Sequence, residues 1–265
     1  MLRIYVIAFM AFLYAPILLL PVFAFNDGTV IAFPLDGFTT EWFAALRTNR
    51  ELHSALFNSL TVAVSSSVLA VLLGLAAARA NVRYRFPGKA AAMGLIMLPL
   101  VLPEIIVATS LLVVAVRFFG WSLSLWTVVA AHVLICTPFA IAILNASFQA
   151  LDPAMEEASI DLGETRASTF RLVTLPLVMP GIVAALLICF TISLDEFIIA
   201  FFLTGSDTTL PVYIWSLLRF PRELPVIMAL GTILVILSIL ILTLAEWNRR
   251  RGLRRAGVKD TGGFL

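Results

Sequence analysis

Three carboxylates stand inside long apolar runs: Glu104, Asp195 and Glu196. An acid at the centre of a membrane-spanning helix costs roughly 2.5–3.5 kcal/mol on the milder insertion scale, so such residues are read as functional by default. Paired acids along a translocation path suit a cationic substrate. Acids that take up and release protons suit a carrier driven by an ion gradient. Neighbouring helical residues point about 100° apart, so Asp195 and Glu196 do not face one spot. If one lines a path, the other is left to bond a neighbouring helix. Pro99 and Pro103 free backbone groups beside Glu104, as expected where a helix bends next to a cavity. Other chemistries lack their residues. Lys89 and Lys259 are followed by Ala90 and Asp260, so neither completes a phosphate-binding loop. The sequence has neither a Gly-x-Ser-x-Gly elbow nor a His-Glu-x-x-His pair, which argues against an intramembrane enzyme and leaves no catalytic residue to name. His53 and His132 are isolated, and Cys136 and Cys189 lie in apolar runs, so neither a metal site nor a disulfide framework is expected. His132 reads as an interhelical hydrogen-bond donor, and Ser65-Ser66-Ser67 as small residues for close helix packing.

The elements that must position these groups are membrane spans. The chain of 265 residues is 61% hydrophobic and 13% charged, against roughly 25% charged in ordinary soluble domains. That excludes a soluble enzyme, a disordered regulator and a nucleic-acid-binding domain, and the net charge of +2 is too small to attract a polyanion. The apolar residues come in runs and do not alternate, so the fold class is an all-α polytopic membrane protein, not a barrel. Six runs approach the roughly 20 residues that a spanning helix needs. They lie at about 4–25, 55–78, 90–116, 125–148, 177–203 and 226–247. The first is too long for a cleavable leader and carries Pro16 and Pro21, so it is expected to stay as a span. With the N-terminus inside, the inner segments hold Arg3, Arg79, Arg83, Arg85, Lys89, Arg166, Arg171, Arg249, Arg250, Arg251, Arg254, Arg255 and Lys259, thirteen of the eighteen basic residues. This bias predicts two cytoplasmic termini. Trp121, Trp126, Trp215 and Trp247 fall at span ends, where an aromatic belt belongs. The basic tail, 248–265, suits anionic lipid headgroups.

Among the connections, residues 37–43 suggest a short interfacial helix capped by Thr40, with Trp42 and Phe43 dipping towards headgroups. The inner connection, 151–176, is more informative. Asp152 is an N-cap followed by Pro153 at the first helical position. Glu156 and Glu157 favour the positive end of the helix dipole, and Gly163 is a left-handed stop. Met155, Ala158 and Leu162 form a narrow apolar face. Thr165 caps a second short helix carrying Phe170 and Leu172, and Leu175-Pro176 leads into the fifth span.

Glu157-Ala158-Ser159, three residues, Gly163, nine residues, Val173, one residue, Leu175-Pro176 resembles the EAA motif of ABC importer permeases. The family pattern is Glu-Ala-Ala, Gly, Ile and Leu-Pro at the same spacing, with Ser159 and Val173 as the departures. Phe57-Asn58-Ser59-Leu60 is also similar to these permeases. The resemblance implies a coupling helix that docks on a separate ATP-hydrolysing subunit. Glu157 would contact that subunit, Ala158 and Ser159 would allow close packing, and Gly163 would make the turn. It further implies two copies of the ATP-binding subunit, which hold the ATP and Mg; a second, different permease; an external solute-binding protein; and a bacterial inner-membrane location. No cofactor is expected on this chain. Ser193-Leu194-Asp195-Glu196-Phe197 resembles the Ser-Leu-Asp-Asp-Phe segment of second-subunit spermidine/putrescine permeases, with Glu196 in place of the second Asp. That implies a polyamine-like cation as substrate. The alternative is the ion-driven secondary carrier, which has no reason to hold the EAA spacing.

Overall fold

The computed structural model describes residues 2–255. Among these the regular elements are all helices, with a single isolated bridge between Asn26 and Phe38. Five helical stretches are long and apolar enough to cross a membrane, and a sixth crossing is made by a bent pair. The chain divides into two compact units, residues 1–50 with 214–265, and residues 51–213.

In the first unit α1 (Leu2–Ala24) packs on α12 (Leu224–Arg255), with Gly231 taking up the side chain of Leu20. The connection after α1 folds back on itself. Asn26 is buried and its Oδ1 accepts the Asp36 amide at 3.0 Å. The short helix α2 (Glu41–Thr48) forms as expected, but Thr40 makes no side-chain cap; Thr39 Oγ1 accepts the Glu41 amide at 3.2 Å instead. Trp42 and Phe43 are half-buried and do not reach outward. The Trp42 indole donates to the Asn26 carbonyl at 2.7 Å, and Phe43 packs on Phe25. An indole buried on its apolar body still needs a partner for its N–H, and the folded connection supplies one. The expected tail at 248–265 begins as a continuation of α12 to Arg255, and the remainder lies outside the described residues.

The second unit holds the other spans. The second is α3 (Arg50–Arg83), longer than its apolar run. The third is not one helix. It breaks into α4 (Lys89–Met97), a 3-10 turn at Leu98–Leu100, and α5 (Glu104–Val113), which runs on through a π turn at Val114–Phe118; the two halves meet at 104°. Pro99 and Pro103 lack the N–H groups that would continue the ladder, and their rings crowd the preceding turn. The fourth span is α6 (Leu125–Ala150). The short helix α7 (Pro153–Asp161) follows.

Beyond Gly163 the expected second short helix is not separate from the fifth span. Helix α8 (Arg166–Thr169), a π turn at Phe170–Thr174 and α9 (Leu175–Asp195) form one continuous stretch. Pro176 cannot donate to the turn before it, and the wider π turn absorbs the loss. At its far end the span is interrupted where the sequence shows no breaker. Glu196 is extended, with φ −69° and ψ 123°, and α10 (Ile198–Leu203) starts afresh. The last helix reached by this unit is α11 (Leu210–Leu217). Two apolar clusters form its core. One joins α3, α6 and α9 around Ala70, Cys136, Phe148 and Cys189; the other joins α3, α5, α6 and α10 around Val62, Ala108, Val128 and Ile199.

Candidate functional site

Two places gather the residues singled out by sequence. The first is α7. Asp152 caps it as expected, its carboxylate accepting the Ala154 amide at 2.9 Å. The turn after it closes through Gly163, at φ +95°, with amide bonds from Leu162 to Ala158, Gly163 to Ile160 and Glu164 to Ser159. Only glycine enters that left-handed conformation at no steric cost. Thr165 Oγ1 then accepts the Ser168 amide and starts α8. Ser159 is half-buried and its hydroxyl pairs with that of Thr169 at 3.1 Å, joining α7 to the foot of the fifth span. Leu175 is half-buried and Pro176 exposed on that span.

The two glutamates of α7 differ. Glu156 is anchored: Arg83 Nε lies 2.9 Å from its Oε2, and the Thr174 hydroxyl donates to Oε1 at 2.6 Å. Arg83 also donates to the Leu151 carbonyl at 3.0 Å, and Arg79 stacks its guanidinium 4.2 Å from the Phe170 ring centre. A cleft of about 460 Å³ opens between α3 and α7, with Arg79, Arg83, Tyr84, Glu156, Glu157 and Arg166 among its walls. Glu157 and Ala158 are exposed, and so is the apolar face: Met155 is 51% and Leu162 87% exposed.

The second place is the interrupted fifth span. Asp195 is the last residue of α9 and is exposed. Glu196 is buried, and its oxygens accept the amides of Ile199 at 2.8 Å and Ala200 at 3.0 Å, the orphan donors at the start of α10. His132 Nε2 lies 3.2 Å from Glu196 Oε2, at ion-pair distance though not aligned as a hydrogen bond. Glu104 is the exposed first residue of α5, just past the bend that Pro99 and Pro103 led one to expect. No described ion pair involves it. An acid at the start of a helix faces the positive end of the dipole, which lowers its cost.

With this geometry in view, the likenesses to known proteins are decisive. The model of the family described as "Binding-protein-dependent transport system inner membrane component" matches residues 70–252. The chain belongs to that family. It is 35% identical over 240 residues to the spermidine/putrescine transport system permease protein PotC of Escherichia coli, covering 90% of each chain. It is 35% identical over 259 residues to the putrescine transport system permease protein PotI of the same organism, covering 92% of each. Among solved structures, a bacterial ABC transporter involved in the import of the acidic polysaccharide alginate superposes with a TM-score of 0.71 at 15% identity, over 93% of this chain and 94% of that one. The alginate transporter in complex with a pentasaccharide-bound periplasmic protein gives 0.69 at 23%, over 95% and 93%. These two show the fold.

The protein is therefore a permease of the ABC-importer type in the bacterial inner membrane, and the ion-driven carrier falls away as a reading of its acids. Sequence reasoning missed the groups that hold the two candidate sites of this permease. Arg83 entered only as an inner charge and Glu156 only as a dipole partner. Ser66 donates to Ser193 Oγ at 2.8 Å, and Ser193 Oγ lies 2.7 Å from His132 Nδ1, so the serine is more than a packing residue. The signal available was the placement of small polar residues at matching depth in three spans. The stretch Phe57-Asn58-Ser59-Leu60 ties the start of α3 to the approach to α11: Asn58 donates to the Thr208 carbonyl at 3.0 Å, and Ser59 Oγ accepts the Leu210 amide at 2.7 Å.

Proposed function

We propose that this permease carries a small organic cation of polyamine type inward by alternating access, driven by ATP hydrolysis on separate subunits that dock on α7. The observation that carries the coupling role is the arrangement of α7. Its inner side is tied to the spans by Arg83, Thr174 and Thr169, while Glu157, Ala158, Met155 and Leu162 are left outward. A force applied to that outward face reaches the foot of the fifth span directly. In this reading Glu157 meets the ATPase subunit, Ala158 and Ser159 permit close approach, Gly163 makes the turn, and Leu175-Pro176 passes the motion into α9. In this reading α7 and both termini lie on the cytoplasmic side, which the basic-residue bias supports.

The substrate class is supported by the named relatives and by the exposed carboxylate of Asp195 at the interrupted span, with Glu104 at the bend as a second acid for the path. The working assembly holds two copies of an ATP-binding subunit, which bind ATP and Mg, a second and different permease, and an external solute-binding protein. The test is purification of the tagged chain from its native membrane in mild detergent, with mass spectrometry of what accompanies it. Stoichiometric ATPase and a second permease are the expected result. A stable, well-folded chain that comes through alone would overturn the assembly and the role of α7 together.

A further inference from the structure

Four polar side chains form a continuous layer inside the second unit. Ser66 of α3 donates to Ser193 of α9 at 2.8 Å, Ser193 Oγ lies 2.7 Å from His132 Nδ1 of α6, and His132 Nε2 lies 3.2 Å from Glu196. All four are buried. The layer falls between the two apolar clusters. Along α3 it separates Val62 from Ala70; along α6, Ala131 from Cys136; along the fifth span, Cys189 from Ile199. Burying a carboxylate there is costly unless its oxygens are met. Here each oxygen of Glu196 accepts an α10 amide, and Oε2 also faces His132. Glu196 thus stops α9 and starts α10 with no proline or glycine, and its oxygens are already occupied. The next residue back, Asp195, is exposed at the end so created.

We propose that Ser66, His132, Ser193 and Glu196 are positioning residues that hold the α9–α10 break, and that Asp195 alone of the acid pair presents its carboxylate to the passing cation. This rests on the reading that the substrate is a cation passing Asp195. It divides two adjacent acids by role: Asp195 meets the substrate, while Glu196 acts through the backbone.

The test uses membranes containing the intact transporter. Cys136 and Cys189 are fully buried, so the unaltered chain gives a blank with a cationic methanethiosulfonate reagent. Asp195→Cys should be labelled, and spermidine should slow the labelling. Glu196→Cys should resist labelling. Adding His132→Gln to Asp195→Cys should remove the spermidine protection, because residue 195 is no longer held beside the path. In parallel, His132→Gln and Glu196→Gln should each cut uptake about tenfold, and the double variant should cost no more than either alone, the signature of one shared contact. Glu196→Asp keeps charge and capping oxygens; if the other Glu196 variants do not assemble, its coupling to His132→Gln is measured in their place. Labelling of Glu196→Cys that spermidine slows, or additive losses in the cycle, would overturn the positioning role. Labelling of Asp195→Cys that spermidine leaves unchanged, together with undiminished spermidine uptake by Asp195→Asn and a non-additive cycle, would overturn the cation path while the layer stands.

Discussion

Glu156 and Glu157 are adjacent in sequence and opposite in duty. Glu156 turns back to Arg83 and Thr174, whereas Glu157 is exposed at the edge of the cleft. Glu156→Gln removes a charge-assisted pair that is largely shielded from water, a loss of about 1–3 kcal/mol in holding α7 to the spans. It should lower both the melting temperature of the purified chain and the recovery of ATPase subunits. Glu157→Gln should leave the melting temperature unchanged and reduce only ATPase recovery. Equal melting curves for the two variants would remove the distinction. Gly163→Val forces a β-branched residue to φ +95°. The expected outcome is an inserted chain whose partners hydrolyse ATP without solute uptake, read by measuring both rates in the same vesicles. Normal uptake in this variant would argue against a coupling role for the turn.

At the scale of elements, the spans pack through small residues. A Cβ on Gly74 would meet the Ala140 Cβ at 2.7 Å and the backbone of Ala140 and Ile141 at 3.2 and 3.3 Å. Helices α3 and α6 therefore touch nearly backbone to backbone, as close packing in a bilayer requires. A Cβ on Gly181 would meet the Ser147 hydroxyl and also the Ser147 Cβ at 2.8 Å, which no rotamer change can move. Gly74→Ala and Gly181→Ala should accordingly each cost about 1–3 kcal/mol, measured as loss of thermal stability in one detergent. An unchanged Gly74→Ala variant would show that α3 and α6 have room to separate. The elements also mark the reach of sequence reading. The third span announced its bend through Pro99 and Pro103. The fifth gave no notice, because Leu194-Asp195-Glu196-Phe197 holds no residue that forbids a helix. The break there comes from side-chain capping by a carboxylate that α6 and α3 hold in place.

For the molecule as a whole, orientation follows from charge. Thirteen of eighteen basic residues lie on one side in the six-span reading, and such a bias keeps short loops inside. A green fluorescent protein fused to the C-terminus should fluoresce, and alkaline phosphatase fused there should be inactive; the same phosphatase placed after Gly205 should be active. The opposite pattern would invert the chain and move α7 outside, away from any cytoplasmic ATPase.

Hydropathy alone determined that this chain spans a membrane about six times as helix, because lipid leaves a backbone no other way to satisfy its polar groups along such apolar runs. Local chemistry determined α7 as well, since a cap, a proline and a left-handed glycine act within a few residues of each other. Tertiary structure decided which acid is buried and which is exposed, and which glutamate holds α7 and which is free. These choices depend on partners far away in sequence, Arg83 for Glu156 and His132 for Glu196. The energy of a buried charge is set by what surrounds it, and helical spacing within one segment carries no record of the facing helix.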